Sequence, residues 1–257
     1  MTELVSYSVE QDVSTIRLER PDKLNAMTLS MWDAVTTGIE QAQTDNSRAI
    51  ILTGTGDAFC AGDDIGALAD IENEQDVREL TDALLTCWEA IESSPVPVIG
   101  RANGAAYGGG FELLLAADVS VVPEDATFQL PETRIGAYPF YAAKRLARLV
   151  GRQRAMDLAV FGRELSGAEA EEWGLFARAV PESELDAEVA TLVDALRMSS
   201  PSATATTKEW LNATLQMPGE DIGMRTGLGY LFSGPDAHEG AEAFLEKREP
   251  EFTNDIE

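Results

Sequence analysis

The chain opens on a two-residue alternation. Val5, Tyr7 and Val9 are separated by Ser6 and Ser8, and after Gln11-Asp12 the same period resumes with Ile16 and Leu18, so residues 4 to 19 read as a hairpin. Thr28 or Ser30 then caps a helix that places Met31, Val35 and Ile39 on one face. Ala49-Ile50-Ile51-Leu52 is a short continuous apolar run, the pattern of a strand buried on both faces. The period changes to 3.6 over residues 76 to 92, where Val77, Leu80, Leu84, Trp88 and Ile91 form one stripe. Residues 95 to 100 give another buried strand, followed by a turn that carries Gly108, Gly109, Gly110 and Glu112 into an apolar helix beginning Leu113-Leu114-Leu115. Two further strands follow at 119–122 and 127–130. This order predicts α/β layering up to about residue 130. From Tyr138 onward the pattern is almost wholly helical, with Leu185, Val189, Leu192 and Leu196 on one stripe and helical periods near 201–216, 220–232 and 236–247.

Two of these strand ends carry candidate chemistry. Glycines at a strand-to-helix turn allow close approach to backbone N–H groups, and a helix N-terminus leaves its first amides unpaired with a partial positive charge. The turn at 102–112 therefore offers either an oxyanion site beside Glu112 or a tight helix entry in which Glu112 only complements the helix dipole. A second turn, Gly54 to Ile65, begins Gly-x-Gly after a strand, but Phe59 stands where a dinucleotide-binding fingerprint needs its third glycine, so that reading is weak. Ala61-Gly62 offers exposed backbone instead. Pro131-Glu132 presents a second carboxylate directly after a strand, with proline fixing the preceding backbone.

Composition narrows the class. The 257 residues, 44% hydrophobic, suffice for a full core, and neither a leader peptide nor a membrane-spanning run is expected, which predicts a cytoplasmic protein. Two cysteines, Cys60 and Cys87, and one histidine, His238, argue against a disulfide framework, a metal site of the usual type or a Ser/His/Asp triad. The formal charge is −26, from 45 acidic against 19 basic residues, only four of them lysine. Such a surface disfavours nucleic-acid binding and matches either an adaptation to molar intracellular salt, where self-repulsion is screened, or an ordinary acidic protein of a low-salt cytoplasm.

Several ordered segments then resemble one family. Arg20-Pro21-Asp22-Lys23-Leu24-Asn25-Ala26, Phe59-Cys60-Ala61-Gly62-Asp63-Asp64-Ile65, Asn103-Gly104 through Glu112, Pro131-Glu132, Glu172-Trp173-Gly174-Leu175 and the run from Glu239 to Phe252 together resemble the crotonase, or enoyl-CoA hydratase/isomerase, superfamily over nearly the whole chain. The resemblance implies an α/β fold, a spiral of ββα repeats forming a core at 1–195, and a helical C-terminal trimerisation region at 196–257. It implies homotrimers or hexamers built from two trimers; the apolar stripes around Leu185–Leu196 and 220–232 also suggest subunit contacts.

Carried onto this sequence, the resemblance places an acyl-CoA thioester oxygen on the backbone N–H groups of Asp63 and Gly109. Glu112 becomes the base that activates water, and Glu132 the proton donor. Lys23, Ala61, Asp64, Ile65, Gly66 and Lys247 become substrate or CoA contacts, Lys247 and Arg248 being either phosphate ligands or a surface pair. No metal or separate cofactor is implied, coenzyme A being part of the substrate. The chain departs from many hydratases at Gly136-Ala137-Tyr138-Pro139-Phe140, where Phe140 replaces a glycine whose amide is expected to help hold water. Hydration of a 2-enoyl-CoA is the leading activity. A double-bond isomerase, a thioester hydrolase and a noncatalytic acyl-CoA-binding protein remain alternatives. The charge yields the first prediction: raising potassium chloride from about 0.1 M to about 1 M, which shortens the Debye length from about 10 to about 3 Å, increases the melting temperature. An unchanged melting temperature and sedimentation profile over that range would exclude adaptation to salt.

Overall fold

The computed structural model describes residues 2–69, 73–135 and 137–216, together with positions 239, 246, 248 and 251. An antiparallel hairpin, β1 (Val5–Glu10) and β2 (Val13–Leu18), leads into α1 (Leu29–Thr44). The chain then winds through similar passes. The first lays down β3 (Ala49–Gly54) and β4 (Ala58–Cys60) before α2 (Ile65–Ala69) and α3 (Glu74–Ser93). The second gives β5 (Val98–Arg101), β6 (Ala105–Tyr107) and α4 (Gly109–Ala116). The third gives β7 (Val119–Pro123) and β8 (Thr127–Gln129), then α5 (Phe140–Leu149) and α6 (Gly151–Ala159). A closing pass runs β9 (Leu165–Ser166), α7 (Gly167–Glu172), β10 (Arg178–Val180), α8 (Leu185–Arg197) and α9 (Pro201–Gln216).

Each pass adds one strand to each of two sheets, which makes the architecture a spiral of ββα units. One sheet has the order β1-β2-β3-β5-β7-β10 and the other β4-β6-β8-β9. Apart from the β1–β2 and β8–β9 pairs, neighbours are parallel. The apolar runs of β3, β5 and β7 follow from burial on both faces. One face of these strands joins the main core, while Ala49, Ile99 and Val121 turn to the other and meet Leu185, Val189 and Val193 of α8. Among the described residues no helix is long and apolar enough to cross a membrane.

Four expectations need correction or relocation. The region after Tyr138 is not wholly helical: β9 and β10 are two and three residues long, too short to register as a period, yet β10 completes the larger sheet beside β7. The Leu185–Leu196 stripe packs on the chain's own sheet, so it gives no argument for a subunit contact. Val77 does not bury with its stripe but is 50% exposed near the start of α3, where an Asn73 capping box with Asp76, not packing, sets the helix end. Thr28 occupies the N-cap of α1 without a side-chain cap, its hydroxyl lying 3.1 Å from that of Ser30. The helical periods at 220–232 and 236–247 lie outside the described residues.

Two asparagines hold the turn after β3 in shape. Asn25 is fully buried, and its amide donates to the carbonyls of Thr55, Ala58 and Phe59 at 2.9, 2.9 and 3.1 Å while its oxygen accepts from Arg20 N–H at 2.9 Å. Asn103 works from the other side, accepting from Gly54 N–H at 3.0 Å and donating to Gly56 and Ala58 carbonyls at 2.7 and 2.8 Å. The loop carrying Asn25 reaches this position through left-handed backbone at Leu24 and Asn25, with φ of 50° and 57°. Asparagine tolerates that region better than leucine does. Replacing Asn25 with alanine leaves buried carbonyls unpaired and should cost about 2–4 kcal/mol in urea unfolding. A loss below about 1 kcal/mol would show that the turn holds its shape without this side chain.

Candidate active site

The glycine turns of two successive passes meet almost in van der Waals contact. A β-carbon added to Gly62 would lie 2.9 Å from the Tyr107 carbonyl oxygen and 3.3 Å from the Gly109 nitrogen, and Gly62 has a φ of +89°. Only glycine satisfies both demands. Gly108 has φ +51° and ψ −126°, and a β-carbon there would approach Glu132 Oε1 at 3.2 Å. These two positions bring the end of β4, the start of α4 and the turn after β8 to one point.

Backbone geometry sets the direction of the amides. Met27 forms a parallel bridge with Asp63, in which Met27 N–H donates to the Gly62 carbonyl at 2.7 Å and Asp64 N–H to the Met27 carbonyl at 2.8 Å. That pairing engages the residues on either side of Asp63 and turns the N–H of Asp63 itself away from Met27. Gly109 is the first residue of α4, so its N–H has no intrahelical acceptor. Together they form a pair of main-chain donors at adjoining turns.

Two carboxyls belong to the same place. Every residue of α4 is buried, and Glu112, one turn after Gly109 on the same helical face, is only 4% exposed. Its Oε1 accepts the Ala142 N–H at 2.8 Å. Burial pushes its pKa up to about 8 against the opposing Ala142 bond, and the neighbouring Glu132 and Asp63 add to the rise. Glu132 opens the 3-10 turn Glu132–Ile135, and its two carboxyl oxygens are buried without a hydrogen-bond partner among the described residues. Burial pushes it up to about 7, with Asp63 contributing in the same direction.

The remaining expected contacts are distributed around this centre. Lys23 ends the exposed 3-10 turn Pro21–Lys23, one residue before Leu24, whose carbonyl accepts from Ala61 N–H at 2.9 Å. Asp64 follows Asp63 in the chain, but its carboxylate is engaged by Arg20 at 2.6 Å and by the amides of Gly66 and Ala67 at 2.8 and 3.3 Å. That is a loop-ordering role for the side chain. Ile65 is 59% exposed, and Gly66 starts α2 with it. Lys247 lies outside the described residues; Arg248 pairs with Glu239 and Glu246 at 2.6 and 2.7 Å. Phe140 stacks on Trp88 with centroids 5.9 Å apart, and the amide that reaches Glu112 comes from Ala142, two residues later. Two contributors had no sequence signal: Trp32, which donates to Asp63 Oδ1 at 2.8 Å, and the main chain of Ala142; Arg20, which pairs with Asp64, stood in the first resembling segment without a role.

Main-chain donors beside two buried carboxyls make a site that can hold a developing oxyanion and move protons next to it. The enoyl-CoA hydratase/isomerase family model matches residues 8–255, and the chain belongs to that family. A probable enoyl-CoA hydratase of Rhodobacter capsulatus is 36% identical over 254 residues, covering 97% of each chain. The mevalonyl-coenzyme A hydratase of Aspergillus fumigatus is 33% identical, over 97% of this chain and 94% of its own. Among solved structures, an enoyl-CoA hydratase from Bacillus anthracis superposes with a TM-score of 0.91 at 32% identity, over 98% of this chain and 100% of that one.

The raised carboxyls have a stability consequence with a definite sign. Glu112 keeps its proton in the folded chain up to about 8, whereas the unfolded chain releases it near 4.5, so its contribution to stability falls as pH rises between those values. Glu112→Gln removes the ionisation while retaining an oxygen for Ala142. The variant should be more stable than the parent by about 5 kcal/mol at a pH above 8 and should lose that advantage near pH 5. Denaturant unfolding of both proteins at the two pH values measures it; an advantage independent of pH would remove the burial argument.

Proposed function

We propose that the protein hydrates 2-enoyl-CoA thioesters to 3-hydroxyacyl-CoA. The observation that carries this reading is the placement of two buried carboxyls, both raised by burial, beside the main chain of Asp63 and Gly109. In the proposed reaction, Glu112 takes a proton from water as the water oxygen bonds to Cβ. The Cα=Cβ electrons move onto the thioester oxygen, where the Asp63 and Gly109 amides hold the enolate. The enolate then collapses, and Cα takes the proton of Glu132. Proton exchange returns the pair to its starting state, with one water consumed.

Hydrogen bonding distinguishes the two roles. The Ala142 amide favours the ionised form of Glu112 and fixes one oxygen, leaving the other for water. Glu132 has no hydrogen bond from another residue among those described, and burial outweighs the pull of its own backbone N–H, which favours its neutral form. The values of about 8 for Glu112 and about 7 for Glu132 run in the opposite order. Their difference places the proposed proton arrangement only about 1.4 kcal/mol above its alternative. That is small beside the 3–5 kcal/mol expected of general acid–base catalysis, so both arrangements are accessible.

With crotonyl-CoA, hydration removes the absorbance of the conjugated thioester. Glu112→Gln and Glu132→Gln should each lower kcat by about 10²–10⁴-fold with acyl-CoA binding retained, and the double variant should fall far short of the product of the two. Full turnover by Glu112→Gln would remove the role given to that residue; no hydration of any enoyl-CoA by the unmodified protein would remove the assignment. An isomerase would instead create conjugation from a 3-enoyl thioester and tolerate one of the two substitutions. For the hydratase, the pH profile should be bell-shaped around 7 to 8: activity falls at lower pH as the pair takes a second proton and at higher pH as it loses its last.

A further inference from the structure

The side chain of Asp63 is not required by an oxyanion hole that uses only its backbone, yet it is placed with care. Its Oδ1 accepts the indole N–H of Trp32 at 2.8 Å. Its Oδ2 lies against the Gly109 turn, 3.5 Å from where a β-carbon on Gly109 would stand, with Trp32 Cζ2 at 3.1 Å from the same point. Gly109 and Glu112 share a helical face, and Gly108, next in the chain, borders Glu132. Trp32 is fully buried and packs edge-on against Trp88 at 6.1 Å, so the donor is fixed by the core. We propose that Asp63, held by the Trp32 indole, is a third acidic group of this site and a positioning residue for the proton that Glu112 and Glu132 share.

The inference rests on the hydratase reading for its catalytic meaning, but its physical basis is independent of that reading. The titratable groups on which the charge of Asp63 acts are Glu112 from α4, Glu132 from the turn after β8 and the Cys60 thiol of β4, while its own rise comes from burial, opposed by the non-titrating Trp32 of α1. Asp64, its chain neighbour, is turned to Arg20. Among the described residues no basic side chain contributes to the shifts of Asp63 or Glu132. Three carboxyls so arranged titrate as one set, in which each ionisation raises the cost of the next. Asp63 therefore keeps the pair's protons bound to higher pH than two carboxyls alone would.

Asp63→Asn retains the shape and an oxygen for Trp32 but cannot ionise. It should move both limbs of the kcat/KM profile for crotonyl-CoA to lower pH by about one unit. A profile that overlays the parent's overturns the proposal. Carbon-13 NMR of the Asp63, Glu112 and Glu132 carboxyl carbons in the unmodified protein supplies a measurement that needs neither activity nor a folded variant. Asp63 should titrate above the ordinary aspartate range in a curve coupled to the glutamates, and a simple transition near 4 overturns the proposal. Trp32→Phe keeps a ring against Trp88 and removes the donor, so the Asp63 transition should rise further; no change would show that the indole does not hold it. If hydration is absent but the coupled titration is present, the activity assignment fails and the third acidic group stands.

Discussion

The constraint on which the site depends is the meeting of the Gly62 and Gly108 turns. With a potential β-carbon only 2.9 Å from a carbonyl oxygen on the opposing turn, no side chain can separate them, and the two amide-bearing segments must come from adjacent passes of the spiral. Parallel pairing of β4 with β6 and of β6 with β8 delivers this, because each pass ends at the same edge one strand further along. Glu132 arrives by the same rule, three residues after the end of β8. The site is therefore a consequence of strand order, and its precision depends on what prevents the turns from sliding.

Two kinds of interaction do that. Asn25 and Asn103 replace absent ladder partners with side-chain hydrogen bonds, so the irregular backbone between β3 and β4 is satisfied internally. On the other side, an aromatic chain links the elements that serve the carboxyls. Trp32 of α1 meets Trp88 of α3, which meets both Phe140 and Tyr141 at the start of α5, with centroids 6.1, 5.9 and 5.2 Å apart. Tyr141 donates to Glu92 at 2.6 Å, and Arg145 pairs with the same carboxylate, which pins the first turn of α5 just where Ala142 presents its amide to Glu112. Rigid packing at this point keeps one donor aimed at one carboxyl.

Much of this was legible in the residues. The hairpin, the buried runs of β3, β5 and β7, and the glycine turn into α4 follow from period and from the conformational demands of glycine. The carboxyls at 112 and 132 were legible because each follows a recognisable strand-to-turn signal, and the ordered resemblance tied them together. What escaped was of a different kind. β9 and β10 are too short to carry a period and exist because a neighbouring strand offers an edge. The α8 stripe looked like an outer contact because sequence shows that an apolar face exists but not which surface covers it. Ala142 acts through its main chain, and Trp32 through one N–H, so neither residue type advertises its task.

The distribution of charge separates two problems that composition presents as one. Among the described residues most acidic side chains are on exposed positions, where mobile ions within a Debye length can screen them. The carboxyls of Asp63, Glu112 and Glu132 are shielded from those ions, and salt that relieves the surface leaves them facing one another in a poorly polarisable setting. Their relief comes from protons. Surface and interior then answer to different variables in one acidic chain, because exposed charge is screened by solvent ions while the buried carboxyls depend on how far burial outweighs the fixed donors, Trp32 and the main chain, that the fold supplies.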